Sequence, residues 1–107
     1  MKDLQVSLIL EEVKQTLQQI YKDKLSDVIL FGSYATQTAN QNSDIDILVI
    51  LNYEYDIDKE ITRTSHAIAS LCLKYDTLIN RLFMSKNYYQ NHKSALVRNI
   101  QRDGMKL

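Results

Sequence analysis

Phe31-Gly32-Ser33-Tyr34-Ala35-Thr36-Gln37-Thr38-Ala39-Asn40-Gln41-Asn42-Ser43-Asp44-Ile45-Asp46 is the stretch on which the reading of this chain turns. It holds one of the two glycines of the sequence, then a serine, then two acids one residue apart at the head of an apolar run. Val28-Ile29-Leu30-Phe31 before it is short and continuously apolar, which predicts a strand covered on both faces. Ile45-Asp46-Ile47-Leu48-Val49-Ile50-Leu51 after it is β-branched and apolar, and predicts a second buried strand. Asp46 is the only charge inside that run. A lone carboxylate in a buried strand is costly unless it is paired or metal-bound.

Side chains alternate faces along a strand, so Asp44 and Asp46 are expected to project together. Two carboxylates so close repel unless a cation sits between them or one carries a proton. Mg²⁺ prefers oxygen ligands and usually binds through one or two carboxylates plus substrate phosphates. Gly32 lets backbone approach a ligand without a Cβ in the way, and Ser33 offers a hydroxyl and an amide. A helix opening at Tyr34 would add N–H groups for an anion. Triphosphate on the turn and Mg²⁺ on the acids form a coherent phosphoryl- or nucleotidyl-transfer site. The plain alternative is a solvated turn in which Asp44 caps a bend with Ser43.

Outward from this centre, Val6, Leu10, Val13, Leu17, Ile20 and Leu25 recur at helical steps, with Asp3 as a cap. Thr38–Ser43 reads as loop. Ile57, Ile61, Ile68, Leu71 and Tyr75 predict a helix over 58–74. Thr77–Met84 predicts a third strand, Ser85 a cap for a helix through Tyr88 and Tyr89, and 94–102 a last helix stopped by Gly104. The expected fold is α/β (α+β), a small mixed sheet of about three strands flanked by helices.

A chain of 107 residues is expected to be one domain, 1–107, able to bury about two-thirds of its unfolded surface. Thirteen basic residues balance thirteen acidic ones, so no global field draws in nucleic acid or an anionic membrane, and neither is expected as a partner. Lys86, Lys93, Arg98, Arg102 and Lys106 leave the C-terminal part locally basic. Cys72 is alone, which excludes an intrachain disulfide. No signal peptide and no membrane-spanning run is evident, so a cytoplasmic setting is expected. His66 and His92 lack partners at metal spacing. Tyr53 and Tyr55 have two readings, ordinary packing or stacking on a base at the mouth of the site.

Gly32-Ser33-Tyr34-Ala35, a polar spacer and Ser43-Asp44-Ile45-Asp46-Ile47-Leu48-Val49 resemble the signature of the DNA polymerase β-like nucleotidyltransferase superfamily. The similarity is to its minimal branch, the MNT domains often paired with HEPN proteins in toxin–antitoxin modules. The resemblance implies Mg²⁺-dependent transfer of AMP from ATP to an acceptor, in that branch a tyrosine of the HEPN partner. It implies Gly32, Ser33, Tyr34 and Ser43 as nucleotide-binding residues and Asp44 and Asp46 as metal ligands and catalytic acids. Two departures stand out. Thr36 and Gln37 replace the family's common Arg-Gly, and Thr77–Ser85 carries none of the third carboxylate that active members place on the next strand. Asp76 fills that role only if the strand begins early. A catalytically degenerate domain that acts by binding its partner is the alternative.

Overall fold

The computed structural model describes residues 3–40 and 42–107. The capping side chain expected at Asp3, and Gln41 within the expected loop, lie outside the described residues.

Helix α1 (Asp3–Tyr21) ends in a 3₁₀ turn at Lys22–Lys24, where Lys22 takes a left-handed φ of 54°. The chain therefore leaves the helix before Leu25, which the helical spacing had included and which instead opens strand β1 (Leu25–Phe31). A single turn, α2 (Ser33–Thr36), follows Gly32. Strand β2 (Ile45–Leu51) is buried on both faces, as its unbroken apolar character requires. Helix α3 (Ile57–Tyr75), capped by Asp56 accepting from the Asp58 N–H, crosses over to strand β3 (Ile79–Ser85). Ser85 caps α4 (Lys86–Asn91) and Ser94 caps α5 (Ala95–Asp103), each hydroxyl accepting the N–H three residues on.

The sheet has the order β3-β2-β1-β4, with β2 parallel to β3 and antiparallel to β1. The fourth strand is the two-residue β4 (Met105–Lys106), which the three-strand expectation missed. Gly104 sends the chain back in extended conformation (φ −69°), so β4 pairs with β1 at Ile29 and Leu30. A Cβ on Gly104 would lie 2.7 Å from the Ile29 side chain, so only glycine lets the tail come this close.

Alternation along the strands builds two cores. One face, with Val28, Leu30, Ile45, Ile47, Val49, Ile79 and Phe83, packs against Ile9, Val13, Leu17 and Tyr21 of α1 and Ile68 and Leu71 of α3. The other face, with Ile29, Leu48, Ile50 and Met84, packs against Val97 and Ile100 of α5. The same alternation puts Phe31, Asp46 and Asn80 on this second face.

The inner face of α3 departs from its apolar pattern. Ile57 and Ile61, expected inward, are exposed, and Glu60 and Thr64 are buried in their place. Glu60 is 1% exposed, and its carboxylate accepts from Tyr21 Oη at 2.6 Å, Tyr53 Oη at 2.7 Å and Arg63 Nε at 3.0 Å. Thr64 Oγ1 accepts from Arg81 Nε at 2.6 Å and donates to the Glu60 carbonyl. At the far end of the antiparallel α1–α3 pair, Glu12 is held by Lys74 at 2.9 Å and by the Tyr75 hydroxyl.

Burial is the largest single influence on the Glu60 carboxyl and pushes its pKa up. The hydrogen bonds from Tyr21, Tyr53 and Arg63 together outweigh it and hold the group below its ordinary 4.5. Its contribution to stability is therefore complete above the unfolded carboxylate range and is lost as pH falls through the lower folded value. Glu60→Ala is expected to cost roughly 3 kcal/mol at pH 7, because it leaves two phenols and a guanidinium without their acceptor. Chemical denaturation of wild type and variant should show that gap narrowing steadily as the pH is lowered below about 4.

Candidate functional site

Strand pairing at the start of β2 brings the sequence-predicted acids together. Register places Phe31 opposite Asp46 across β1–β2, and Asp46 opposite Asn80 across β2–β3. Asp46 is thus flanked by Gly32 on one side and Asn80 on the other. Asn80 Nδ2 donates to Asp46 Oδ1 at 3.0 Å and to Asp44 Oδ2 at 3.2 Å. Both carboxylates therefore converge on one nitrogen, as the two-residue spacing predicts.

The other oxygen of Asp46 faces the bend. A Cβ on Gly32 would lie 2.4 Å from Asp46 Oδ2. Gly32 also has φ 78° and ψ −155°, a combination that is essentially restricted to glycine. Its carbonyl accepts the Ala35 and Thr36 N–H groups, which turns the chain into α2 and sets Ser33 and Tyr34 at the head of that turn.

The remaining predicted residues are placed as follows. The Tyr34 ring packs against the α1/α3-side core, and its hydroxyl reaches the Asn40 carbonyl at 3.4 Å. Ser43 Oγ accepts the Asn40 N–H at 3.0 Å, and the Ser43 N–H donates back to the Asn40 carbonyl. Tyr34 and Ser43 thus shape the loop leading to Asp44. Thr36 Oγ1 pairs with Thr38 Oγ1 at 2.9 Å, and Gln37 sits in the left-handed region at φ 63°, so this turn supplies no cation where the resembled family commonly has one.

Asp76 does not join the pair. It is the left-handed cap of α3 (φ 50°), and β3 begins only at Ile79. The strand therefore starts later than the sequence pattern suggested, and the residue that meets Asp46 is Asn80. Among the described residues no group of three acids, histidines or cysteines is arranged to hold a metal. The donor set is two carboxylates with an amide beside them.

Other candidates lie elsewhere. Tyr53 and Tyr55 follow the opposite end of β2, about 20 Å along the strand from Asp44, and do not flank the acids. Tyr53 is bonded to Glu60, and burial followed by that hydrogen bond pushes its phenol up to about 12. Tyr55 Oη donates to the Phe83 carbonyl at 2.6 Å. Arg81 points away from Asn80, to Thr64 Oγ1, Ser65 Oγ and the Ile61 carbonyl. Cys72 Sγ accepts the Ile79 N–H at 3.4 Å. His66 is exposed, and His92 stacks on Tyr88 at 3.8 Å. Arg102 pairs with Asp103, and Arg98 is tied to the Lys93 carbonyl.

Residues 10–103 match the model of the nucleotidyltransferase domain family. The chain belongs to that family. Two proteins of Methanocaldococcus jannaschii, each named "Putative protein adenylyltransferase", are similar over most of their length. One is 31% identical, covering 97% of this chain and all of the relative, and the other 30% identical, covering 89% and 90%. The fold is shared with a toxin–antitoxin structure containing AMP-PNP (TM-score 0.63, 22% identity, 90% of this chain and 69% of that one). It is also shared with the structure of a "putative nucleotidyltransferase" from Sulfolobus solfataricus (TM-score 0.62, 18% identity, 95% and 80%). A third likeness is to a Shewanella oneidensis complex of MNT antitoxin with tri-AMPylated HEPN toxin (TM-score 0.56, 19% identity, 99% and 71%). Within the family framework, no helix of the described residues is long and apolar enough to cross a membrane.

Gly32→Ala tests the packing of the bend against the acid. The new methyl group cannot coexist with Asp46 Oδ2, and the backbone conformation penalises any L side chain. A loss of about 1–3 kcal/mol is expected by thermal or chemical melting. Gly104→Ala, at the other close approach, leaves the acid pair undisturbed and serves as the comparison.

Proposed function

We propose that this nucleotidyltransferase-family chain binds a nucleoside triphosphate, ATP, with Mg²⁺, and transfers AMP to a hydroxyl group of a partner protein, as the antitoxin half of an MNT/HEPN-type module in the cytoplasm. The observation that carries the reading is the convergence of Asp44 and Asp46 beside the side-chain-free bend at Gly32. The names of the adenylyltransferase relatives support AMP as the transferred group. The AMP-PNP and tri-AMPylated HEPN complexes of its structural neighbours support nucleotide and partner.

The residues present fit a hard divalent ion. They offer anionic oxygens, and Gly32, lacking a Cβ, lets the Asp46 carboxylate lie directly against the bend, where a Cβ would come within 2.4 Å of its Oδ2. When bound, the ion supplies charge neutralisation at the phosphates and polarises the reacting phosphoryl group. Asp44 and Asp46 would hold it. Gly32 lets the triphosphate lie against backbone, while Ser33 offers its hydroxyl and the turn its leading N–H groups. In the transfer, the acceptor oxygen forms a bond to the α-phosphorus, the bond from that phosphorus to the bridging oxygen breaks, and pyrophosphate leaves. The acceptor's proton passes to solvent or to a group of the partner, since no third carboxylate stands beside the pair among the described residues. Asp44, just ahead of β2, and Asp46 within it would contribute to rate by fixing the place at which the ion is held beside the phosphates.

A second reading rests on Asn80. A domain without a third acid would restrain its partner by contact alone. Asp44→Ala and Asp46→Ala separate the two, because they abolish partner control if transfer is needed and leave it intact if binding suffices.

Purified protein incubated with α-labelled ATP, Mg²⁺ and the co-encoded partner is expected to label the partner. Asp46→Ala should lower that labelling on the order of 10²-fold or more. Absence of label, with wild type equal to Asp46→Ala, overturns the catalytic reading.

A further inference from the structure

The amide of Asn80 does more than fill the place of an acid. It has two N–H donors, and each is directed to a different carboxylate, at 3.0 Å to Asp46 and 3.2 Å to Asp44. Only the orientation with Nδ2 toward the two acids satisfies them, because the carbonyl end would add a third acceptor to a cluster of acceptors. Charge-assisted hydrogen bonds of this kind are stronger than neutral ones. The pair is therefore held in place by a neutral donor from the neighbouring strand.

A carboxylate at position 80 would act in the opposite way. It would face Asp46 at the same register and put three negative charges around one point, with no cationic side chain bonded to Asp44 or Asp46 among the described residues. Such a cluster requires an ion to remain assembled, and it would bind free ion correspondingly well. With Asn80 in place, the two carboxylates have less to gain from a free ion, which must also displace the amide hydrogens. An ion that arrives already bound to phosphate oxygens brings the rest of its ligands with it.

We propose that Asn80 is a positioning residue that locks Asp44 and Asp46 together in the ion-free protein and makes the site take its divalent ion as the ion–nucleoside triphosphate complex rather than as the free ion. The proposal rests on the reading of the site as an ion–nucleotide site and concerns the order in which it is filled.

Melting temperature and titration calorimetry, with Mn²⁺ as the probe ion, test it on the full chain. Wild type is expected to show little stabilisation by Mn²⁺ alone and a rise of several degrees with Mn²⁺ plus a non-hydrolysable ATP analogue near ~100 times its dissociation constant. Asn80→Asp should melt lower than wild type without ion, recover with Mn²⁺ alone, and bind free Mn²⁺ at least ~10-fold more tightly. Asn80→Ala adds no charge and carries the test if Asn80→Asp does not fold. It should lose ion-free stability and bind the Mn²⁺–analogue complex ~10-fold more weakly, without gaining affinity for free Mn²⁺. Wild type binding free Mn²⁺ as tightly as Asn80→Asp, or Asn80→Ala matching wild type in every measurement, overturns the role of Asn80. If wild type takes up neither the ion nor the ion–analogue complex and is indistinguishable from Asp46→Ala, the ion–nucleotide reading falls with it.

Discussion

The carboxylate of Asp46 occupies space that any side chain at position 32 would claim: a Cβ on Gly32 would sit 2.4 Å from its Oδ2. That close approach is possible because β1 and β2 pair through Phe31 and Asp46, so the bend after β1 folds directly over the start of β2. Everything at this end of the sheet follows from it. Gly32 must be glycine, for space and for its backbone conformation. The turn beyond it must reverse sharply, which its carbonyl achieves by accepting two successive N–H groups. The acids end up at the N-terminal end of the central strand β2, with Asp46 on the face that α5 covers only farther along the strands.

The opposite face of the sheet, under α1 and α3, solves a different problem. Glu60 and Thr64 lie on the buried side of α3, yet no buried side-chain polar atom among the described residues lacks a partner. Tyr21, Tyr53, Arg63 and Arg81 come from four separate elements or loops to satisfy them. A network of this kind ties α1, α3 and β3 together only in the native arrangement, because each donor finds its acceptor only when the elements are docked. A rigid platform under β3 in turn keeps Asn80 at its register against Asp46.

Between the acids the charge is handled differently: Asn80 bridges two carboxylates with a neutral amide, so no third negative charge faces them from β3.

From the sequence alone, the apolar runs at 28–31 and 45–51 determined two buried strands, and the Asp-x-Asp spacing determined that both acids share a face. Helical periodicity determined α1 and α3, and Ser85 and Ser94 marked the starts of α4 and α5. These are local properties, settled by alternation, by 3.6-residue spacing and by side chains that cap their own backbone. Tertiary structure decided the rest. Ile57 and Ile61 fit an apolar stripe, but Glu60 and Thr64 went inside because distant tyrosines and Arg81 could satisfy them. Met105 and Lys106 became a strand only because β1 offered an unpaired edge. Asp76 was left on a helix cap and Asn80 set between the acids by the register of β3 against β2, a pairing over more than thirty residues of chain that no local pattern encodes.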